Sequence, residues 1–337
     1  MIGWYVHGQG RGHLQRLQCI AAHLRTPVTG LSSLARPDGF SGGWVRLAED
    51  APAPAPADVT AGGTLHWSPR HHDGLRDRMA AVAAWVAAAR PDLVVVDVSV
   101  EVAVLVRAMG VPVVVAAMRG DRLDRAHRTA YDLAEALLAP WPASLPEAWP
   151  QDWLDKTWHV GALSRADGRE PVPAAGRRRV ALLWGTGGSG VSTADVEAAA
   201  AATPGWTWDT AGLPGAPWVT DPWAHLQAAD VVVTHGGQNA LAEIAAARRP
   251  AVVVPQDRPH GEQEASGRAL ERGGLALIEP SWPTPDRWPE LLERAARSDP
   301  SRWEQWSDGR GASRAAAHLD DAARRHAQVR ERPCAPR

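Results

Sequence analysis

Three stretches hold residue types that could do chemistry on a ligand. The first runs from His7 to His13, with Gly8, Gly10 and Gly12 interleaved with Gln9 and Arg11. The second is residues 185–190, where four glycines, Gly187 and Gly188 among them, stand with Thr186 and Ser189. Backbone N–H groups left uncovered in such a loop suit the close approach of a phosphate. In the third, His235, Gly236, Gly237 and Asn239 follow an apolar run, Glu243 stands two helical turns beyond His235, and Glu262 and Gln263 follow a second apolar run. A histidine and two glycines at a strand end can meet a diphosphate together with the following helix, whose N-terminus offers unpaired N–H groups and a partial positive charge. A carboxylate two turns along that helix can accept both hydroxyls of a ribose, and Glu262 with Gln263 would reach a sugar. Each part has an ordinary reading: glycines serve tight turns without a ligand, and a buried Glu pairs with an Arg. The combination in the third stretch is what points to a nucleotide-linked ligand. The first stretch lacks the Lys-Ser/Thr ending of a P-loop.

The elements that must position these residues follow from the apolar pattern. Short runs of Val, Ile and Leu are each followed by a glycine or polar break and then by a segment rich in Ala, Leu and Arg, which predicts βαβ units and an α/β fold with parallel sheets. Strands are predicted at residues 2–6, 93–98, 111–118, 158–163, 179–184, 231–234 and 251–255, and helices at 100–109 and from about residues 12, 192, 238 and 261. All three stretches then lie beyond the carboxyl ends of strands, where open α/β sheets bind ligands. Residues 164–176 are polar and rich in Gly and Pro. The expected organisation is a Rossmann-like domain at 1–163, a linker at 164–176 and a second Rossmann-like domain at 177–337, doubly wound and facing across a cleft. The Pro-Ala alternation at 51–57 reads as an extended spacer.

Composition narrows the function. The chain of 337 residues has a formal net charge of −2, which excludes polyanion binding, so no nucleic-acid partner is expected. A hydrophobic fraction of 45% against 22% charged lets each half bury a core. Cys19 and Cys334 are the only cysteines, too few for a disulfide framework or a four-thiolate zinc site. The N-terminus lacks the apolar run of a secretory signal, and the apolar region 100–118 is interrupted by Glu101, Arg107 and Pro112, so a cytoplasmic location is expected. The skew within classes, 17 Trp against one Phe, Lys156 as the only lysine and Asn239 as the only asparagine, reflects a GC-rich coding sequence. His71, His72 and Asp73 lack two spaced partners, so no metal site is expected. Arg119, Arg122, Arg125 and Arg128, interleaved with Asp121 and Asp124, read as a solvated, salt-bridged face.

From Trp218 to Ile278 the chain resembles the nucleotide-sugar donor site of GT-B glycosyltransferases, particularly family 28 and its peptidoglycan N-acetylglucosaminyltransferases. The likeness rests on Trp218 and Val219, Ala229 and Asp230, Thr234 to Gly237, Glu243, Pro255, His260 to Gln263, and Gly273 with Gly274. The glycines before His13 and the run from Pro91 to Asp97 resemble the acceptor half more generically. The resemblance implies that the backbone at Val219 reads a nucleobase with Trp218 packing nearby. It implies further that His235, Gly236 and the Gly187, Gly188 and Ser189 loop hold the diphosphate, Glu243 the ribose, and Glu262 with Gln263 the donor sugar. UDP is the favoured carrier and dTDP is compatible; the nucleotide sugar is a co-substrate and no cofactor is expected. Glu262 replaces the first of the paired glutamines of the peptidoglycan enzymes, and Ser266-Gly267 stands where Asn-Ala is common, so the sugar is left open.

The expected activity is an inverting, metal-independent transfer to a hydroxylated acceptor, either a small natural product or a lipid-linked envelope intermediate with weak peripheral membrane contact. His13 is the candidate base, placed at a helix N-terminus where partial positive charge disfavours imidazolium. Asp97 could hold its tautomer and stabilise the charge that develops. His13 as a capping or gating histidine, and Asp97 as a loop cap, are the plainer readings. A UDP-sugar 2-epimerase or hydrolase of the same fold, and a non-catalytic nucleotide-sugar binder, are the alternative functions.

Overall fold

The apolar runs assemble into two all-parallel sheets in a computed structural model that describes residues 1–9, 12–51, 57–184, 190–211, 219 and 221–331. Of the residues singled out above, Gly10, Arg11, Thr186, Gly187, Gly188, Ser189, Trp218 and Cys334 lie outside the described residues. The first sheet comprises β1 (Ile2–Val6), β2 (Val28–Ser32), β3 (Gly43–Arg46), β4 (Leu93–Asp97), β5 (Val113–Ala116), β6 (Ala136–Ala139) and β7 (Thr157–His159). Its order is β3-β2-β1-β4-β5-β6-β7. The second comprises β8 (Arg179–Leu183), β9 (Thr207–Ala211), β10 (Val231–Thr234), β11 (Ala251–Val253) and β12 (Leu277–Ile278), in the order β12-β11-β10-β8-β9. The connecting helices, in chain order, are α1 (Gly12–Ala21), α2 (Asp73–Ala89), α3 (Val100–Ala108), α4 (Arg125–Leu133), α5 (Gln151–Asp155), α6 (Thr193–Ala202), α7 (Trp223–Ala228), α8 (Gln238–Ala247), α9 (Glu262–Gly273), α10 (Trp288–Ala296) and α11 (Gly311–Glu331).

β1, β4 and β10 are buried along their whole length, as Val-rich strands covered on both faces must be. In each sheet the chain winds one way from its first strand and then crosses to the other side. The reversal falls between β1 and β4 in the first sheet and between β8 and β10 in the second, and such switch points open a crevice at the carboxyl ends. His7, His13 and Asp97 flank the first crevice, and His235 follows a strand that flanks the second.

Helix α11 departs from the expected 177–337 unit. Its Ala312, Ala315, Ala316, Leu319, Ala322 and Ala323 recur at helical spacing and pack with Ile2, Trp4, Leu17 and Ile20, so the end of the chain belongs to the core of the N-terminal half. The strand expected at 158–163 is the shorter β7, because Gly161 at φ 79° turns the chain away. Ser192 caps α6 in a reciprocal capping box with Asp195. Among the described residues, no helix is long and apolar enough to cross a membrane.

Candidate active site

At the first crevice the register sets Val6 of β1 opposite Asp97 of β4. Asp97 is fully buried, and its Oδ1 accepts from Arg16 Nη1 at 2.5 Å and contacts His13 Nδ1 at 2.8 Å. Burial opposes ionisation of this carboxyl, but the Arg16 guanidinium and His13 outweigh it and hold its pKa below the ordinary value. An ionised Asp97 requires His13 to carry its proton on Nδ1, which leaves Nε2 as the nitrogen able to accept another. The chain leaves Asp97 through Val98 at φ 64°, a left-handed conformation that a β-branched residue rarely adopts. That turn lets Ser99 cap α3 and points Val98 into a small, mostly apolar cavity shared with Val115, Met118, Arg122 and Tyr131. His7 packs edge-on against His13 with ring centres 5.7 Å apart, and burial, then the neighbouring His13, lower its pKa.

At the second crevice His235 is fixed differently. The Gly237 N–H donates to its Nδ1 at 3.0 Å, so the ring proton sits on Nε2. Burial, helped by the charge of Arg258 and opposed by a bond to Gln263, lowers the pKa of His235 to about 4, which keeps the ring a neutral donor. Gly236 and Gly237 are glycine for reasons of space: a Cβ on the former would lie 2.8 Å from Gln263 O and on the latter 2.2 Å from the His235 ring.

Three residues expected at the donor site bond within the protein in this structure. The Gly236 N–H donates to Gln263 Oε1 at 3.1 Å and the Gly237 N–H is taken by His235, so neither glycine amide is open to a diphosphate. Gln263 is buried and its carbonyl also accepts from the Gln256 N–H at 2.9 Å, so it ties two strand-end loops together instead of presenting that oxygen to a sugar. The N–H groups left to an anion belong to the first turn of α8, whose N-cap, Gly237, makes no side-chain capping bond.

Glu243 is buried, and Arg165 Nε reaches its Oε1 at 2.7 Å, with Gln15 Nε2 at 3.4 Å from the other half. Burial raises its pKa against the pull of Arg165 and Gln15. Glu262 opens α9; burial raises its pKa, and the charges of Arg122, Arg16 and His13 in the N-terminal half oppose the rise. Val219 lies half-buried ahead of α7.

The N-termini of α1 and α8 meet. Arg16 Nη2 donates to Gln238 Oε1, and Asn239 Nδ2 donates to Gln15 Oε1 at 3.2 Å. Gly12 lets the helices approach, since a Cβ there would stand 3.3 Å from Asn239 Nδ2. The only asparagine is thus a cross-cleft contact and not a helix cap. Sequence reasoning did not single out Gln15, Arg16, Arg165 or Gln238. The signal available for Arg16 was its position one turn after His13, on the same face of α1.

The arginine series is also corrected. Arg119 and Arg122 are buried, and only Arg125 and Arg128 are exposed or nearly so, because α4 begins at Arg125 and the first two precede it. Arg119 bonds Glu147, lies 4.7 Å from the Trp141 ring centre, and burial lowers its pKa to about 10. His72 caps α2, its Nδ1 accepting from the Leu75 N–H at 3.1 Å. A different group, His66, Asp124, His127 and His260, is brought together from three places in the sequence.

Residues 217–295, which contain His235, Glu243, Glu262 and Gln263, match the model of the glycosyltransferase family 28 C-terminal domain. Around this segment the fold is GT-B: the glycosyltransferase VinC in complex with dTDP superposes with a TM-score of 0.62 at 20% identity, covering 96% of this chain and 99% of that one. An uncharacterized glycosyltransferase of Methanopyrus kandleri is 38% identical over 96 residues, 27% of this chain and 26% of that protein. The UDP-N-acetylglucosamine–N-acetylmuramyl-(pentapeptide) pyrophosphoryl-undecaprenol N-acetylglucosamine transferase of Acidiphilium cryptum is 28% identical over 160 residues, 47% of this chain and 39% of that protein. The chain therefore spans less than half the length of these two relatives. The family 28 match covers the second crevice and leaves the His13 side to be argued from its own geometry.

Proposed function

We propose that the protein transfers a sugar from a nucleoside diphosphate donor to a hydroxylated acceptor, with inversion and without a metal ion at the diphosphate. The observation that carries this reading is the His13–Asp97 pair at 2.8 Å, set at one switch point while His235 and the uncapped N-terminus of α8 stand at the other. The acceptor hydroxyl gives its proton to His13 Nε2 as its oxygen forms a bond to the anomeric carbon. The bond from that carbon to the diphosphate breaks, and its electron pair leaves on the diphosphate oxygen. Asp97 keeps the tautomer and stabilises the imidazolium. The leaving charge meets the Nε2–H of His235 and the first-turn amides of α8, donors fixed before the reaction begins.

UDP and dTDP are both compatible as carriers; the Acidiphilium cryptum relative is named for a UDP-sugar and the VinC structure holds dTDP. A thermal-shift panel of UDP-, dTDP- and GDP-sugars tests the donor assignment. A ligand at 100 times its Kd adds about 2.7 kcal/mol, a shift of several degrees. No shift with any nucleotide contradicts the assignment, and an absolute Mg²⁺ requirement for turnover contradicts the metal-free diphosphate.

A further inference from the structure

Four side chains that no step above uses turn their ligand atoms toward one another at the seam between the two halves. His66, Asp124 and His127 come from the N-terminal half and His260 from the turn that leads into α9; their ligand atoms all lie within 4.8 Å of one another. His66 Nε2 is 3.2 Å from His127 Nδ1 and 3.8 Å from Asp124 Oδ1, His260 Nδ1 is 3.8 Å from Asp124 Oδ2, and His127 Nδ1 bonds Asp124 Oδ2. A tetrahedral ion with bonds of about 2.0–2.1 Å sets its ligand atoms roughly 3.3 Å apart, so small movements convert this arrangement into a coordination shell.

We propose that His66, Asp124, His127 and His260 form a binding site for a zinc-class divalent cation that clips the two halves of the molecule together. Three imidazole nitrogens and one carboxylate oxygen suit a borderline ion, whereas Mg²⁺ and Ca²⁺ ask for oxygen ligands. The backbone supports the same placement. His260 adopts φ 65°, uncommon for a residue other than glycine, and its carbonyl accepts from the Asp121 N–H at 2.8 Å, which holds the ring toward the N-terminal half. Arg122 competes with the ion. Its Nη1 lies 3.0 Å from His127 Nε2, which fixes the His127 proton on Nδ1, facing Asp124. A cation on Nδ1 needs that proton on Nε2, so the guanidinium must turn aside as the ion enters.

The test is calorimetric titration of the full chain, freed of any purification tag and stripped with chelator, with zinc sulfate alone. One Zn²⁺ per chain is expected, with no saturable heat from magnesium chloride. Affinity should fall at least ~10-fold in His260→Ala and in His66→Ala, since losing even a group that merely supports a metal ligand costs about 10–100-fold. Arg122→Met should bind more tightly than wild type. His260 is partly exposed on a turn, so its alanine variant keeps the fold, and an unchanged melting temperature in chelator verifies this. Absence of saturable zinc binding, or equal affinity in wild type and both alanine variants, overturns the proposal. No nucleotide enters the experiment, so its failure leaves the donor assignment untouched.

Discussion

The molecule builds the same local device twice and finishes it in two ways. At each switch point a strand ends, a histidine stands among glycines, and a helix N-terminus follows. His13 turns its Nδ1 to a buried carboxylate, while His235 Nδ1 accepts from the Gly237 N–H two residues on. A carboxylate partner stabilises a second proton on the ring; an amide partner forbids one, and burial then takes His235 down to about 4. The contrast teaches that role is assigned by what the second ring nitrogen touches: His13 can exchange a proton and His235 can only donate its own.

The largest effect that would break this contrast is on turnover. His13→Ala should lower kcat by ~10²–10⁴-fold, the ordinary contribution of a general base, in a transfer assay with saturating donor. Turnover within a few-fold of wild type would remove His13 from the chemistry. The second effect is on stability against pH. His235 has a folded pKa of about 4 against an ordinary value near 6.5, so the unfolded chain takes up the proton first as pH falls. The stability present above ~6.5 is therefore lost progressively down to about 4, by up to about 3 kcal/mol. His127, lowered by burial to about 3, acts in the same direction. Urea unfolding at pH 7.5 and 5 should show the loss, and His235→Gln should remove part of it; an unchanged slope in that variant would contradict the buried neutral ring.

Much of this arrangement was legible in the sequence, and the rest was hidden for identifiable reasons. β1, β10 and the start of α8 stand where the apolar runs and the glycines place them, because strands covered on both faces are continuous runs of Val and Ile. β2 was obscured by Gly30, which a packed Trp44 ring demands, and β9, a polar edge strand, carries no apolar run at all. His13, Asp97, His235 and Glu243 could be singled out because each ends or follows a strand or rides the helix after one. What stayed hidden was pairing. Nothing in the spacing says that Gln263 faces backbone amides, that Arg165 reaches Glu243, or that His66 and His260 meet, since partners in separate elements leave no periodic trace. Helix α11 was misplaced for a related reason: its alanine stripe fits either half, and only packing chooses.

Two smaller measurements sharpen the comparison. His235→Ala removes one donor to a charged group, a contribution of about 1.5–3 kcal/mol, so UDP or dTDP affinity by calorimetry should weaken by roughly 10–150-fold. Asn239→Ala removes one cross-cleft hydrogen bond, and unfolding stability should fall by about 0.5–1.5 kcal/mol with turnover nearly unchanged. A Kd unaffected by His235→Ala, or a kcat that collapses in Asn239→Ala, would count against the division of labour.

The most direct measurement takes His13→Ala and His235→Ala side by side and reads two quantities in each, the Kd for the nucleoside diphosphate and the turnover of its sugar. The division of labour predicts that His13→Ala binds the diphosphate as wild type does and loses turnover, while His235→Ala loses diphosphate affinity as well as turnover. A His13→Ala enzyme with weakened diphosphate binding and near-normal turnover, or a His235→Ala enzyme with wild-type affinity, would contradict it.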